Sequence, residues 1–375
     1  MTDGAPAALA LRPNLGAEEP DAPPLAAARA AAQAWRLLFP ANAAWPEPGA
    51  PAWPGALAPD PGPAFPWLPA SGLCAWWNDA ASAEAARLAG LELAGAPPAS
   101  VGTVHDKAFV ARLCAEERIG PRWLASLVAS YDAEALTDAG RFRSALARTL
   151  EAWPADLARV ATLKPRLGTS GRGRVRAHDP DDPALAGALP RLAARGGAIL
   201  EPWLERTADY SVQLHIGRDG ALTLLGTLEL RVSRSGVYRG HRGELDHRGR
   251  VTCGAGLDDA LCTAASEVAR AAHAAGYFGP CGVDAFAFAR DGEQTLRPAV
   301  ELNARFTMGT VALGLLRRAR AWLDAALPPE PGERRSFAFG LGDDAPALLP
   351  GSRARLSFGA AQLVVAAGPL AATGS

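Results

Sequence analysis

The stretch Ala161–Arg174 constrains the fold most, because a short apolar run ends there in a lysine and continues into a glycine-rich loop. The lysine is Lys164, and the loop carries Gly168, Gly171 and Gly173. Glycine permits positive φ and a close approach of the backbone, so successive N–H groups can converge on one anion. The lysine precedes the glycines, which excludes a Walker A loop. The stretch predicts a strand and loop that hold nucleotide phosphates, with an ordinary turn as the alternative.

Lysine is rare in this chain. Of the 38 lysine and arginine residues, two are lysines, Lys107 and Lys164, so 36 are arginines. Arginine can serve a general surface role, and we therefore expect these two positions to need the compact ammonium group itself. Lys107 follows Asp106, which can cap a helix, and so lies in a first helical turn that favours anions. A bound phosphate would relieve that conflict, and a solvated surface lysine is the alternative.

Composition excludes several classes of protein. The formal net charge of the 375 residues is −1 and the pI is near 6.6, so no basic field indicates nucleic acid or membrane as a partner. No apolar run reaches the about 18 residues of a membrane span. The first residues lack the basic start and apolar block of a secretory signal. The five cysteines are widely spaced, which favours free thiols in the cytoplasm and argues against zinc.

The order of predicted elements favours an α/β (α+β) chain with several subdomains. Residues 1–100 combine a predicted helix over Leu25–Phe39 with a βαβ-like rhythm from Gly72, which predicts an N-terminal α/β subdomain. Further helices are predicted over Ala81–Ala89, Asp132–Trp153, Ala184–Ala194, Leu257–Ala275 and Val311–Ala326. Further strands are predicted over Leu91–Leu93, Gly197–Trp203, Tyr210–Ile216, Leu222–Leu230, Cys281–Phe288, Leu296–Asn303, Ala354–Phe358 and Ala361–Ala366.

Oxygen ligands gather on a predicted hairpin in the second half of the chain. One strand carries Asp284, and its partner carries Glu301 and Asn303. Residues two apart on a strand share a face, so Glu301 and Asn303 point to the same side. Two carboxylates and an amide oxygen suit Mg²⁺, with Mn²⁺ as an alternative, and Arg305 can share that face and meet phosphate. An ion-pair network on an exposed strand face is the other interpretation.

The order of these motifs resembles the ATP-grasp superfamily over roughly residues 101–309. The resemblance implies an ATP-grasp fold with a lid subdomain over residues 101–204 and an antiparallel C-terminal subdomain with the metal site over residues 205–330. Residues 331–375 are then expected to form an extension that packs on the core. The two lysine positions match the family's two phosphate-contacting lysines, and the glycine-rich loop corresponds to its mobile lid.

The same resemblance implies the residues that bind ATP and metal. The segment Glu201–Leu204 would be the hinge whose backbone meets adenine, with Glu205 or Asp209 near the ribose. The implied nucleotide contacts are Lys107, Lys164, Gly168, Thr169, Ser170, Gly171, Gly173, Glu201, Trp203, Leu204 and Asp209. The implied Mg²⁺ ligands are Asp284, Glu301 and Asn303.

The activity implied by the resemblance is that of an ADP-forming carboxylate–amine ligase, which activates a carboxylate as an acyl phosphate. Its catalytic residues would be Lys164, Arg305 and Arg231. Arg231 is the preferred residue for binding the substrate carboxylate, ahead of Arg234, Arg239 and Arg242. His241 and His247 are expected to be surface residues and not catalytic bases. Small-molecule carboxylate and amine substrates are the expected partners, and a homodimer is left open. A phosphotransferase (kinase) and a non-catalytic ATP-binding module are the alternatives.

Overall fold

The computed structural model describes residues 9–17, 25–46, 54, 57, 62–155, 157, 160–168, 173–233, 238–342 and 344–370. Helices are combined there with a short parallel pair of strands and with antiparallel sheets of four and nine strands. The α+β class predicted from the sequence is confirmed.

The N-terminal unit is built around the parallel strand pair and a buried tryptophan. Its elements are β1 (Leu9–Arg12), α1 (Leu25–Arg36), β2 (Gly72–Ala75) and α2 (Ala80–Leu88). Trp35, near the end of α1, is fully buried, and its ring packs edge-on against Phe39 and Phe306 with centroids 5.0 and 5.4 Å away. Because Phe306 follows the metal-site hairpin in sequence, this aromatic cluster ties the N-terminal unit to the C-terminal part of the chain.

Three helices connect the N-terminal unit to the small sheet. They are α3 (Pro98–His105), α4 (Lys107–Glu116) and α5 (Arg122–Ala125). Asp106 caps α4 as predicted, since its carboxylate accepts a hydrogen bond from the N–H of Ala108 at 2.8 Å. Val104 and Val110 are fully buried in the same apolar core as strands of the large sheet. This part of the predicted lid range therefore packs on the large sheet, and the domain boundaries stay a prediction.

The small sheet has its own apolar core and leads directly into the large sheet. Its strands, in the spatial order β3-β6-β4-β5, are β3 (Ala129–Asp132), β4 (Ala161–Pro165), β5 (Val175–Ala177) and β6 (Gly197–Pro202). Two helices pack on it, α6 (Ala139–Ala152) and α7 (Pro183–Ala194). Phe142 and Leu146 of α6 are buried against Leu163 and Leu200 of the strands. The small sheet and its two helices therefore form one layer, whose core also includes Phe286 and Phe288 of the large sheet.

The large sheet carries the second half of the chain. Its strands are β7 (Arg206–Ile216), β8 (Leu222–Val232), β9 (Tyr238–Asp246), β10 (Val251–Thr252), β11 (Gly279–Arg290), β12 (Glu293–Asn303), β13 (Arg334–Leu341), β14 (Ala354–Phe358) and β15 (Ala361–Ala367). They follow the antiparallel order β12-β11-β7-β8-β9-β13-β15-β14, with β10 beside β9. The accompanying helices are α8 (Asp258–Ala274), α9 (Met308–Arg318), α10 (Arg320–Ala326) and α11 (Asp344–Leu348).

The two faces of the large sheet are covered by different helices. Val212 is buried with Val268 of α8, whereas Leu228 is buried with Val311 of α9. Leu228 pairs with Ser211, the neighbour of Val212, so the two apolar sets alternate across the pleat. The C-terminal strands β13, β15 and β14 continue this sheet, so the end of the chain contributes to the main core.

Three expectations from the sequence are corrected. The helix predicted over Asp132–Trp153 is divided, because Asp138 caps a new helix by accepting from the N–H of Arg141 at 3.0 Å. The strand predicted over Leu91–Leu93 is reduced to a single bridge to Leu73. His241, interpreted as a surface residue, is 3% exposed.

All five cysteines fall within the described ranges and are free thiols. None of the helices that the structure describes has the length and apolar character needed to cross a membrane.

Candidate active site

Lys107 lies where helix α4 meets the segment after strand β4. The carboxylate of Asp106, besides capping α4, accepts a hydrogen bond from the guanidinium of Arg166 at 2.5 Å. The backbone N–H of Lys107 donates to the carbonyl of Arg166 at 3.1 Å. The ammonium of Lys107 donates to the carbonyl of Gly168 at 2.5 Å and lies 3.0 Å from Oε2 of Glu301. Lys107 thus contacts both the start of the glycine-rich loop and the hairpin that carries the predicted metal ligands. The carboxylate of Glu301 supplies the negative charge that balances a lysine in a first helical turn.

Lys164 belongs to a buried ionic triad between the two sheets. Its ammonium forms an ion pair with Oε1 of Glu201, while the guanidinium of Arg297 donates to Oε2 of the same carboxylate at 2.7 Å. Burial lowers the pKa of Lys164 to about 8, because the interior disfavours the charged form, and Glu201 only partly offsets this. Burial alone would raise the pKa of Glu201, but its two cationic partners hold it well below the usual range. The site therefore contains a lysine whose charge is sensitive to pH near neutrality.

The three predicted metal ligands lie together on adjacent strands. Asp284 of β11 and Glu301 of β12 are direct register partners, and Asn303 follows two residues later on the same face. Asp284 accepts hydrogen bonds from Ser211 Oγ at 2.8 Å and from Asn303 Nδ2 at 3.0 Å. Burial, together with the charge of Glu301, raises the pKa of Asp284. Two half-buried carboxylates and an amide at one place form a donor set that a divalent cation would neutralise and that suits Mg²⁺.

Glu301, one of the predicted metal ligands, interacts with both lysines. Burial alone would raise its pKa, but the charges of Lys107 and Lys164 outweigh that effect and lower it. The two lysines come from different elements, α4 and β4, yet both lie close enough to this carboxylate to act on it. The structure therefore brings both predicted phosphate-binding lysines within electrostatic range of one predicted metal ligand.

Arg305 lies beside the metal ligands, as predicted. Its guanidinium donates to Oδ1 of Asn303 at 3.1 Å and to the carbonyl of Phe306 at 2.8 Å. Gln213 supports Ser211 in turn, since its Nε2 donates to Ser211 Oγ at 2.7 Å and its Oε1 accepts a hydrogen bond from Thr307 Oγ1 at 2.5 Å. These bonds orient the side chains that surround Asp284.

The glycines at the two ends of the predicted phosphate loop have backbone conformations that favour glycine. Gly168 and Gly173 have φ values of 124° and 73°, and a Cβ at Gly173 would lie 2.9 Å from Nη1 of Arg195. Thr169, Ser170 and Gly171 lie outside the described residues.

The predicted hinge joins strand β6 to strand β7. Leu204 is buried in the core of the small sheet, and the N–H of Trp203 donates to the carbonyl of Val160 at 2.8 Å. The guanidinium of Arg176 stacks on the Trp203 ring at 3.2 Å from its centroid. Asp209 accepts a hydrogen bond from Arg206 at 2.6 Å, and Glu205 is exposed. The segment thus offers an aromatic side chain and an acidic group at the junction of the two sheets.

Arg231 lies apart from this cluster. Its guanidinium donates to Glu229 at 2.8 Å, and Glu229 also accepts from Arg242 at 2.7 Å. Glu229 pairs with Tyr210, which is buried against α8, so this group occupies the sheet face opposite Ser211. Arg231 therefore lies on the opposite side of the sheet from Asp284 and Glu301. Arg239 contacts Asp344 at 3.3 Å, and Arg234 lies outside the described residues.

Sequence reasoning missed Arg297 and Ser211. Arg297 precedes Glu301 by four residues on β12 and pairs with Phe286, but the register shift between these two positions breaks the two-residue period that would otherwise indicate its face. Ser211 carries no comparable signal, because its role depends on the pairing of β7 with β11.

Comparisons with known proteins agree with this geometry at the level of the fold. No family model matches the sequence, and a search of curated proteins finds no match. Pyruvate carboxylase from Rhizobium etli is similar in structure, with a TM-score of 0.53 at 14% identity, over 97% of this chain and 36% of that one. Biotin carboxylase from Campylobacter jejuni has a TM-score of 0.48 at 13% identity, over 72% of this chain and 59% of that one.

A third solved structure, N5-carboxyaminoimidazole synthase from Aspergillus clavatus, has a TM-score of 0.47 at 16% identity, over 80% of this chain and 77% of that one. The chain thus spans little more than a third of the pyruvate carboxylase and about three fifths of the biotin carboxylase. Its four-stranded sheet, its large antiparallel sheet and the similarity to the pyruvate carboxylase lead to one conclusion: the chain has an ATP-grasp fold.

Proposed function

We propose that this protein is an ATP- and Mg²⁺-dependent ligase that activates a carboxylate as an acyl phosphate and joins it to an amine. The products would be an amide, ADP and phosphate. The free state of all five cysteines supports a reducing compartment such as the cytoplasm.

One observation carries the proposal. Lys107, one of the two lysines of the chain, lies 3.0 Å from Oε2 of the half-buried Glu301, and the charge of Lys164 also lowers the pKa of this carboxylate. Glu301 in turn faces Asp284 across adjacent strands. Two ammonium groups near a half-buried pair of acidic residues match the needs of phosphoryl transfer, in which charge spreads over the phosphate oxygens.

Different groups of the protein would serve different steps of this reaction. Lys107 and Lys164 would neutralise the phosphates of ATP, while a carboxylate oxygen of the substrate attacks the γ-phosphorus in line and ADP leaves. The amine would then attack the carbonyl carbon, the bond to phosphate breaks, and the amine nitrogen loses a proton. The glycine-rich loop would exclude water from the acyl phosphate. Positioning and charge supply the catalysis, so no protein nucleophile is needed.

Asp284, Glu301 and Asn303 would hold the Mg²⁺ ion. When bound, that ion supplies further neutralisation of the phosphate charge. Ser211 keeps one oxygen of Asp284 in place through its 2.8 Å hydrogen bond. Arg305, which donates to Asn303, would meet the phosphate or the substrate carboxylate beside the ion.

The test is nucleotide turnover by the purified protein with Mg-ATP, pooled amino acids and a small-metabolite extract. ADP and free phosphate are assayed separately, in the wild type, Lys164→Ala and Glu301→Ala. Lys164→Ala leaves Glu201 paired with Arg297, so the variant keeps a partner for that buried carboxylate. The matched controls are Arg141→Ala and Glu134→Ala, which change exposed residues of the small-sheet layer.

Equal amounts of ADP and phosphate, dependent on added metabolites and lost in both site variants, would support the ligase. ADP without free phosphate would instead identify a phosphotransferase. ATP binding with no turnover under any condition would identify a nucleotide-binding module.

A further inference from the structure

We propose that the cavity beside Arg305 is the subsite for the acyl donor, and that it takes a small carboxylate with a single aromatic ring. This inference rests on the proposed ligase function and specifies its carboxylate substrate.

The cavity lies between the N-terminal unit and the large sheet. It has a volume of about 180 Å³ and is lined by segments around Trp67, the end of β2, the turn after β7 and the loop after β12. An apolar cavity of about 150 Å³ holds a benzene ring in another protein. The available volume therefore matches one ring with a short polar substituent.

The lining is aromatic and partly stacked. The Trp67 ring stacks on His215 with centroids 4.4 Å apart and an interplanar angle of 12°. Trp76, Phe306 and Phe278 also line the cavity. Burial lowers the pKa of His215 to about 4, so its imidazole is neutral at pH 7 and adds a flat, uncharged surface. Rings favour offset or edge-on contact with a further ring, which supports an aromatic ligand over a flexible polar one.

The charges at the cavity favour an anion. Arg218 and Arg305 are among its lining residues, whereas none of the described lining residues is acidic. Arg218 lies with its guanidinium carbon 4.4 Å from the centroid of the Phe278 ring, at the edge of the apolar surface. Arg218 pairs with Glu92 at 3.6 Å, but Glu92 is not a lining residue, so a protonated amine in the cavity would meet two cations and no acidic side chain of the described lining. The cavity is therefore assigned to the carboxylate, and the amine would enter from elsewhere.

A chain of hydrogen bonds joins the cavity to the metal ligands. Arg305 donates to Asn303 Oδ1 at 3.1 Å, and Asn303 Nδ2 donates to Asp284 Oδ2 at 3.0 Å. A guanidinium can hold a carboxylate through two parallel N–H groups. A ring seated among Trp76 and Phe306 with its carboxylate on Arg305 would present an oxygen beside the proposed phosphate and metal site.

The test is binding of small ring carboxylates to the full chain by saturation-transfer NMR, with and without Mg²⁺ and a non-hydrolysable ATP analogue. The probes are benzoate, 4-hydroxybenzoate and phenylacetate, with benzamide and acetate as the matched neutral and ring-free compounds. We expect at least one ring carboxylate to bind tenfold or more tightly than benzamide and acetate, and to support formation of ADP.

Two variants locate the binding. Ala94→Leu fills the cavity and should weaken binding of the ring carboxylate at least tenfold, while Ala139→Leu, at an exposed helix start, should leave it unchanged. Arg218→Gln removes an exposed cation without altering the core, and should weaken binding severalfold. ATP affinity, measured in parallel, reports whether each variant is folded and keeps its nucleotide site.

The outcomes separate this inference from the proposed function. Benzamide binding as tightly as the carboxylates, no saturable binding in either nucleotide state, or unchanged affinity in both cavity variants would overturn the subsite. Turnover with a ring-free carboxylate alone would overturn it while leaving the ligase intact. Ring binding without formation of ADP from any carboxylate would overturn both.

Discussion

The ammonium nitrogen of Lys107 lies 3.0 Å from Oε2 of Glu301, although one residue begins a helix and the other lies on an edge strand of the large sheet. The pair is mostly buried, with side chains 11% and 18% exposed. A lysine that is to bind a phosphate needs a partner that orients its ammonium group and can be replaced by the phosphate. Glu301 would be that partner, because a bound metal ion would compete with Lys107 for the same carboxylate.

Replacing Lys107 by methionine should weaken ATP binding by roughly 10- to 100-fold, since hydrogen bonds to charged groups contribute about 1.5–3 kcal/mol. The measurement is calorimetric titration with a non-hydrolysable ATP analogue. Lys107→Arg keeps the positive charge and should recover part of the loss. Wild-type affinity in Lys107→Met would show that this lysine serves only the fold.

The affinity for ATP should fall as the pH rises through about 8, because Lys164 loses its charge there. The inflection should appear in the pH profile of kcat/KM, which reports the free enzyme. Lys164→Arg keeps its charge and should remove the inflection. A profile that is identical in the two proteins would contradict the assignment.

Stability should change in the opposite direction over the same range. The folded protein binds fewer protons at Lys164 than the unfolded chain between about pH 8 and pH 10.5, so this lysine makes stability rise with pH in that window. The check is the free energy of unfolding in urea at both ends of the window. The free energy of unfolding should rise less steeply with pH in Lys164→Arg than in the wild type. A steeper rise in the variant would show that other groups dominate the pH dependence.

Ser211→Ala should weaken Mg²⁺ binding by roughly 10- to 100-fold, as is usual when a group that orients a metal ligand is removed. The hydroxyl of Ser211 donates a hydrogen bond to Asp284 at 2.8 Å. Ser211 would therefore affect the ion only by orienting that carboxylate. The measurement is the Mg²⁺ concentration that gives half-maximal turnover. Ser211→Thr retains the hydroxyl, so its Mg²⁺ requirement should stay close to that of the wild type. An equal loss of Mg²⁺ affinity in both variants would show that the packing of Ser211, and not its hydroxyl, is responsible.

His241 should make the fold sensitive to acid. It is buried, 2.9 Å from the hydroxyl of Tyr238, and burial lowers its pKa to about 3. The folded state keeps the imidazole neutral while the unfolded chain binds a proton below about pH 6.5, so stability is lost as the pH falls. The loss from this residue should approach about 2 kcal/mol near pH 5. Urea unfolding of His241→Gln should show a correspondingly flatter pH dependence.

Local patterns predicted much of the site. The hairpin that carries Asp284 and Glu301, the cap at Asp106 and the strand at Lys164 all follow from short-range signals, and each is present in the structure. Alternation along a strand and capping at a helix start depend on neighbours in sequence, which explains why they could be identified without a fold.

Other features depended on contacts between distant elements. Arg297 supplies the second partner of Glu201 across the two sheets, and His241 is buried because β13 covers β9. Arg231 faces away from the site because of the register between β7 and β8. Nothing within a few residues of these positions indicates which face or which partner they will have.

The sequence by itself determined the chemistry available to this protein: two lysines in an arginine-rich chain, a glycine-rich loop after one of them, and an Asp, Glu and Asn set on a hairpin. The tertiary structure alone decided that Lys107 and Lys164 both influence one carboxylate, that Arg231 pairs with Glu229 on the sheet face opposite Ser211, and that an aromatic cavity adjoins Arg305. The physical reason is that residue type and short-range periodicity set charge and local geometry, whereas burial and charge pairing arise when distant elements pack together.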